Sequence, residues 1–102
     1  MRLRFHAEAR AEFLAAADRY GRERPGLGED FIAEVGRALD TIRANPEAWP
    51  VLAHQGGVPL RRFVLARFPY GVSFSAVGEQ LFVIAVAHGK RRPGYWRNRV
   101  RR

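Results

Sequence analysis

Hydrophobic positions in the first half of the chain follow helical spacing after a short alternating start. Charged and apolar residues alternate over Arg2-Leu3-Arg4-Phe5, which predicts a half-buried strand. Apolar side chains then recur every three or four residues, which predicts one helix from about Ala7 to Gly21 and a second from about Gly28 to Asn45. Two amphipathic helices joined by a short Pro/Gly turn predict an antiparallel hairpin that packs against a sheet.

The second half of the chain has the pattern of a sheet. Three segments alternate or are wholly apolar and predict strands at Pro59 to Arg67, Gly71 to Val77 and Leu81 to Ala87. The last segment is apolar on both faces, which favours a position inside the sheet over an exposed edge. The order β-α-α-β-β-β predicts one α+β domain over residues 1–102, with the helical hairpin on one face of a small, mainly antiparallel sheet.

Charge is distributed unevenly along this domain. Residues 1–60 contain eight arginines against nine acidic residues, a net charge of −1, whereas residues 61–102 contain nine arginines and one lysine against a single glutamate, a net charge of +9. Such asymmetry indicates that the second half binds an anionic partner, which is nucleic-acid phosphate, an acidic protein or, as the least favoured of the three, anionic lipid.

Composition excludes several kinds of site. The chain has no cysteine, and its histidines and acidic residues lack the spacing of a metal site, so we expect no disulfide, metal or cofactor. The longest apolar run, Leu81 to Ala87, is far shorter than the roughly 20 residues that cross a bilayer. The N-terminus also lacks the apolar core of a signal peptide, so we expect a cytoplasmic protein with no membrane partner.

The densest basic cluster follows the last predicted strand. We expect a surface that engages an anionic partner at Arg91, Arg92, Tyr95 and Arg97, and a mobile basic tail over residues 97–102. The sheet face opposite the helices has no cover unless the tail returns to it. This face is predicted to form a basic, partly polar docking groove that contains Arg67, Ser73, Ser75 and one of the neighbours Arg61 and Arg62, and both of these arginines are assigned to the groove because the pattern does not say which one faces it.

Three residues near this cluster have alternative roles. His88 has the chemistry to exchange protons near neutral pH, or it bonds a neighbouring backbone group at the end of its strand. Tyr95 and Trp96 either stack on a base or contact a partner, or Trp96 folds back to cap the sheet with Tyr95 at the edge of this cap.

Three motifs carry a resemblance to a known family. The segments Leu60-Arg61-Arg62-Phe63, Phe68-Pro69-Tyr70-Gly71-Val72 and Ala85-Val86-Ala87-His88-Gly89-Lys90-Arg91-Arg92-Pro93-Gly94-Tyr95-Trp96 resemble the ParE branch of the RelE/ParE toxin superfamily of bacterial type II toxin-antitoxin systems, which serve in plasmid stabilisation. The resemblance implies a cytoplasmic toxin held in a hetero-oligomer by a cognate antitoxin, whose extended, usually acidic segment wraps the toxin's groove. ParE-like members poison DNA gyrase, which is therefore the expected target.

The RelE branch implies a different activity, cleavage of messenger RNA on the ribosome. Such cleavage needs a base for the 2′-hydroxyl proton, a cation for the phosphorane and an acid for the leaving oxygen. RelE-like chains place an arginine where this sequence has Gly71 and a catalytic tyrosine where it has Arg97, while Arg91 matches their second arginine. The resemblance therefore favours the gyrase poison. An endoribonuclease that uses His88, Arg91 and Tyr95 remains an alternative, as does a non-toxic basic RNA-binding module.

Overall fold

A computed structural model describes residues 1–100, which form two helices and one five-stranded sheet. The elements are β1 (Arg2–Phe5), α1 (Ala7–Glu23), α2 (Leu27–Ala44), β2 (Val51–Gln55), β3 (Val58–Val64), β4 (Tyr70–Val77) and β5 (Gln80–His88), with short 3-10 helices at Pro46–Ala48 and Arg97–Val100. The sheet order is β1-β5-β4-β3-β2, and only the β1–β5 pair is parallel. The predicted α+β class, helical hairpin and interior position of the last strand are confirmed.

The second strand is the element that the sequence pattern did not predict. It joins β3 through Gly56 and Gly57, which have φ angles of 57° and 82°. Two consecutive residues with positive φ form the tight turn that suits a twisted hairpin, and glycine adopts that conformation without strain. β3 consequently begins at Val58, and it ends at Val64, three residues before the predicted end.

Local chemistry sets the limits of the helices. His6 caps α1, because its Nδ1 atom accepts a hydrogen bond from the backbone N–H of Glu8 over 3.1 Å. Between the helices, Gly28 lies so close to α1 that a Cβ atom there would stand 2.5 Å from the Ala17 carbonyl oxygen.

Within the described residues, no helix combines the length and apolarity needed to cross a membrane.

The main core lies between the helical hairpin and one sheet face, here called the helical face. Phe31 of α2 is fully buried at its centre, with its ring centroid 5.1 Å from that of Phe68 and 5.2 Å from that of Tyr70. Burial of such apolar surface is the dominant stabilising contribution in a domain that has no disulfide. The strands contribute Val72, Phe74, Leu81, Val83 and Val86 to this core.

The opposite sheet face, here called the open face, is covered by the end of the chain. A register shift pairs Ser73 with Ala85 but Phe74 with Val83, and Ile84 and Ala85 both join a second apolar cluster with Trp96. Trp96 is only 5% exposed, which confirms the capping role among the alternatives for this residue.

The C-terminal segment differs from the expected mobile tail. Arg97–Val100 forms a 3-10 helix against the open face, and the side chain of Arg99 is only 10% exposed because two carboxylates bind it. The last two positions of the predicted tail, residues 101 and 102, lie outside the described residues.

Candidate functional site

Four strands and the C-terminal segment line a small basic cavity on the open face. Its volume is about 150 Å³. We call it the arginine cavity, defined by the charged and polar residues Arg62, Ser73, His88, Arg91, Arg92 and Arg97. Within the part of the chain that the structure describes, no aspartate or glutamate lines it. The predicted surface of Arg91, Arg92, Tyr95 and Arg97 therefore lies on one cavity, together with two residues that were assigned to the docking groove.

Gly71 of β4 has no side chain, and this leaves room for the side chain of Arg62. A Cβ atom at Gly71 would overlap the Nε atom of Arg62, so the guanidinium lies directly over the glycine backbone. RelE-like chains carry an arginine on β4 at this place, and here a guanidinium from the neighbouring strand β3 occupies the space. A cation is thus present where the sequence alone indicated that one was missing.

The side chain of Tyr95 is held by contacts with Glu12 and Arg91. Its hydroxyl donates a hydrogen bond to Glu12 Oε2 over 2.6 Å, and the guanidinium carbon of Arg91 lies 3.8 Å from its ring centroid. Burial, together with the hydrogen bond to the Glu12 carboxylate, raises the pKa of Tyr95 to about 12. A phenol with this pKa remains protonated near neutral pH, so Tyr95 does not have the properties of a general base.

Glu12 of α1 connects the C-terminal segment to the sheet. Its carboxylate binds the Arg99 guanidinium through two hydrogen bonds of 3.0 and 2.8 Å, and it accepts a third bond of 3.0 Å from the backbone N–H of Val86. Arg99 also donates to the Ile84 carbonyl over 3.0 Å. β1 pairs with β5 only as far as Val83, so these two side chains satisfy backbone groups of β5 beyond the end of that pairing.

The electrostatics of Glu12 follow from these contacts. Burial acts to raise the pKa of Glu12, but the hydrogen bonds from Arg99, Tyr95 and Val86 outweigh it and hold the pKa below its ordinary value of 4.5. Sequence analysis missed this role, because Glu12 occupies a polar position on an amphipathic helix. Its partner Arg99 lies 87 residues away, so no local spacing connects the two.

His88 has the structural role that was one of its two alternatives. Its Nδ1 atom accepts a hydrogen bond from the backbone N–H of Lys90 over 3.0 Å, and its ring packs edge-on against Tyr70 with a centroid distance of 5.4 Å. This arrangement fixes the ring at the wall of the arginine cavity and leaves only the Nε2 atom for a further contact.

The predicted docking groove is wrong as a single surface. Arg61 pairs with Phe74 on the helical face, where it donates to the carbonyl of Trp49 over 2.8 Å. Arg67 lies beyond β3, and its guanidinium stands 3.7 Å from the carboxylate of Asp30 on α2. The reason is that neighbouring strand residues face opposite sides of a sheet, and that β3 ends before Arg67.

The remaining groove residues are divided between two hollows on the open face. Arg62 and Ser73 line the arginine cavity, whereas Ser75 lines a larger hollow of about 440 Å³. Leu60 and Phe82 lie in the wall of this second hollow, and the guanidinium carbon of Arg4 stands 4.5 Å from the Phe82 ring centroid. The C-terminal segment separates the two, because Trp96 borders the first and Arg99 the second.

The chemistry available in the arginine cavity is the binding of an anion. Four arginines and a histidine surround it, and within residues 1–100 no group of His, Asp or Glu residues is arranged to hold a metal ion. Guanidinium groups donate several hydrogen bonds in a planar fork that matches carboxylate and phosphate oxygens.

Comparison with known proteins supports the fold. The sequence matches no established protein family and no curated protein. One similar solved structure is described as the chromosomal ParDE TA system from P. aeruginosa. The similarity has a TM-score of 0.59 at 18% sequence identity and covers 86% of this chain and 95% of that one. The expected ParE-like fold is therefore confirmed.

Proposed function

We propose that this chain is the toxin of a type II toxin-antitoxin system, that it poisons DNA gyrase, and that a cognate antitoxin neutralises it in the bacterial cytoplasm. The observation that supports the toxin class most strongly is the similarity of fold to a chain of a ParDE TA system over 86% of the sequence. The arginine cavity supplies a basic surface through which such a toxin engages its target. In this proposal residues 1–102 act as one domain without a cofactor, within a toxin-antitoxin hetero-oligomer.

The state of Tyr95 favours a gyrase poison over a nuclease. The phenol is bound to Glu12 and its pKa is raised to about 12, so it is poorly suited to remove a proton from a 2′-hydroxyl. His88 uses one ring nitrogen to accept from the Lys90 backbone. A poison needs a binding surface and no general base, and the arginine cavity meets that requirement.

A second candidate function, messenger RNA cleavage on the ribosome, retains one supporting observation. Arg62 stands over Gly71 and lines the same cavity as Arg91, so two cations flank a space in which a phosphorane is held in such a reaction. His88 would then have to serve as the base through its Nε2 atom.

Expression of the chain in bacteria distinguishes these functions. A gyrase poison is expected to arrest growth and to activate a DNA-damage reporter, while messenger RNA remains intact in primer-extension assays. Growth arrest with new messenger RNA ends and a silent reporter would replace the gyrase assignment with the nuclease. Normal growth at verified expression, together with salt-sensitive RNA binding by the purified chain, would indicate a non-toxic binding module.

A further inference from the structure

We propose that a groove between the two helices, on the outer side of the hairpin, binds the basic turn of a second copy of this chain. The groove, here called the hairpin furrow, is defined by Asp18, Gly21, Arg22, Gly28, Glu29 and Ile32. The basic turn comprises residues 89–93, which follow β5 and contain Lys90, Arg91 and Arg92. The contact is an association of the chain with itself and does not depend on the proposed function.

The hairpin furrow is concave because two glycines line it. A Cβ atom at Gly28 would stand 2.5 Å from the Ala17 carbonyl oxygen, so the two helices are in close contact there. A Cβ atom at Gly21 would meet no atom of residues 1–100 beyond its own helical turn within 4 Å, so the space above this glycine is open. The furrow has a volume of about 640 Å³, which is that of a ligand-sized cleft. All five residues of the basic turn are exposed, and a projecting turn suits a groove of this size.

Charge complementarity identifies the occupant of the furrow. The two helices together carry eight carboxylates against five arginines, a net charge of −3, so the rest of the chain carries +11 of the total of +8. In the furrow, Asp18 pairs with Arg22, whereas Glu29 takes part in none of the ion pairs among the described residues. The three cations of the basic turn take part in none of them either. A free carboxylate in a groove and free cations on a projecting turn are complementary surfaces.

Apolar surface beside Glu29 favours arginine and lysine side chains over a simple cation. Ile32 in the wall of the furrow is 45% exposed, and Leu14, one helical turn before Asp18 on the same side of α1, is 49% exposed. The aliphatic stems of arginine and lysine pack on apolar surface of this kind while their charged ends reach a carboxylate. The furrow therefore offers both kinds of contact that the side chains of the basic turn can make.

The contact joins two different surfaces, so copies associate head to tail. Two hairpins that faced each other would bring together two net charges of −3, and two basic turns would repel each other as well. At about 0.15 M salt, charges more than about 8 Å apart are largely screened, so the overall charge of +8 on each copy opposes the contact only weakly. A bound furrow covers Arg91 and Arg92 of the second copy, which removes them from contact with any other partner.

Sedimentation velocity of the purified chain at about 0.15 M salt tests the contact. The average mass of the parent chain is expected to rise above that of a monomer as its concentration increases. Glu29→Arg reverses the charge of the furrow, and Arg91→Ala/Arg92→Ala removes two charges from the turn, so each is expected to weaken association by about tenfold or more. Glu79→Arg makes the same change of charge at an exposed turn outside the furrow and is expected to weaken association by less than about twofold. Circular dichroism verifies the fold of each variant.

An equimolar mixture of Glu29→Arg and Arg91→Ala/Arg92→Ala identifies the two surfaces. The first variant keeps an intact basic turn and the second keeps an intact furrow, so the mixture is expected to form a one-to-one dimer and no larger species. A mixture that remains monomeric would overturn the proposal. Equal weakening by Glu79→Arg and Glu29→Arg would overturn it as well, because net charge alone would then control association.

A parent chain that remains monomeric up to about 1 mM would also overturn the proposal. If that monomer bound fluorescein-labelled, end-blocked hexa-arginine and Glu29→Arg abolished this binding, the furrow would be assigned to a basic segment of a different protein. The assay contains neither gyrase nor cells. Its failure is therefore separate from failure of the toxin function, which growth arrest decides.

Discussion

The hydroxyl of Tyr95 donates a 2.6 Å hydrogen bond to the carboxylate of Glu12, which lies 83 residues earlier in the sequence. The same carboxylate binds Arg99, which follows Trp96 in the sequence as Tyr95 precedes it. One acidic residue of the first helix therefore fixes the C-terminal segment both before and after the tryptophan that covers the open face. The position of the arginine cavity depends on this anchor, because Arg91 stacks on Tyr95.

Removal of the anchor is expected to destabilise the fold. Glu12→Ala would leave the 10% exposed side chain of Arg99 without its bidentate partner and the Val86 N–H without an acceptor. We predict a loss of about 3 kcal/mol in the free energy of unfolding, measured in urea. Glu79→Ala, at an exposed turn, serves as the control and should change stability by less than about 0.5 kcal/mol. Equal stability of the two variants would contradict the anchoring role.

Stability should also depend on pH through Glu12. The pKa of its carboxyl group is below 4.5 in the folded protein, so its favourable contribution is fully present above pH 4.5 and is lost as the pH falls through the folded value. We predict that Glu12→Gln flattens the acid side of the stability profile relative to the parent chain. Unfolding titrations across this range provide the measurement, and parallel profiles would contradict the prediction.

Tyr95 makes the opposite contribution at alkaline pH. Its pKa is raised from 10.0 to about 12, so the stabilisation from its bond to Glu12 is present below pH 10 and disappears as the pH rises toward 12. Tyr95→Phe should remove the tyrosinate absorbance that appears last in an alkaline titration. A Tyr95→Phe chain that still shows the full late-titrating signal would mean that the phenol is not bound as described.

Toxicity should depend on the exposed arginines of the cavity. Arg91→Ala/Arg92→Ala is expected to abolish growth arrest, while the midpoint of thermal unfolding shifts by only a few degrees, because both side chains are exposed. Arg10→Ala/Arg37→Ala removes two charges from exposed helix positions and should remain toxic. A folded Arg91→Ala/Arg92→Ala chain with full toxicity would show that the arginine cavity is not the target surface.

Gly71→Ala tests the placement of Arg62 without changing the charge. The added methyl group would overlap the Arg62 guanidinium, which is the far end of a flexible side chain and can move aside. We expect a stability change within about 1 kcal/mol and a loss of toxicity similar to that of Arg62→Ala. Undiminished growth arrest by a folded Gly71→Ala chain would show that Arg62 does not contribute to the target surface from this position.

The sequence predicted the fold well where hydrophobic spacing controls it. The two helices and the apolar interior strand follow directly from periodic burial, as Phe31 and Val83 illustrate. The sequence pattern did not predict β2 because most of its residues are exposed. Only the Gly56-Gly57 turn indicated a hairpin there. An edge strand that buries little has little hydrophobic pattern to detect.

The site was predictable in composition but not in geometry. The basic cluster at Arg91 and Arg92 is visible in the sequence, and it does line a cavity. The separation of Arg61 from Arg62 depends on strand phase, which the local pattern left open. The partnership of Glu12 with Arg99 depends on contact between opposite ends of the chain, and no spacing rule connects residues so far apart.

Gyrase supercoiling by purified enzyme, titrated with the folded chain, tests the central claim most directly. The account predicts lost supercoiling together with accumulation of linear DNA, and neither effect with Arg91→Ala/Arg92→Ala at the same concentration. Supercoiling that continues unchanged in the presence of a chain that is folded and arrests growth in cells would contradict the assignment of gyrase as the target.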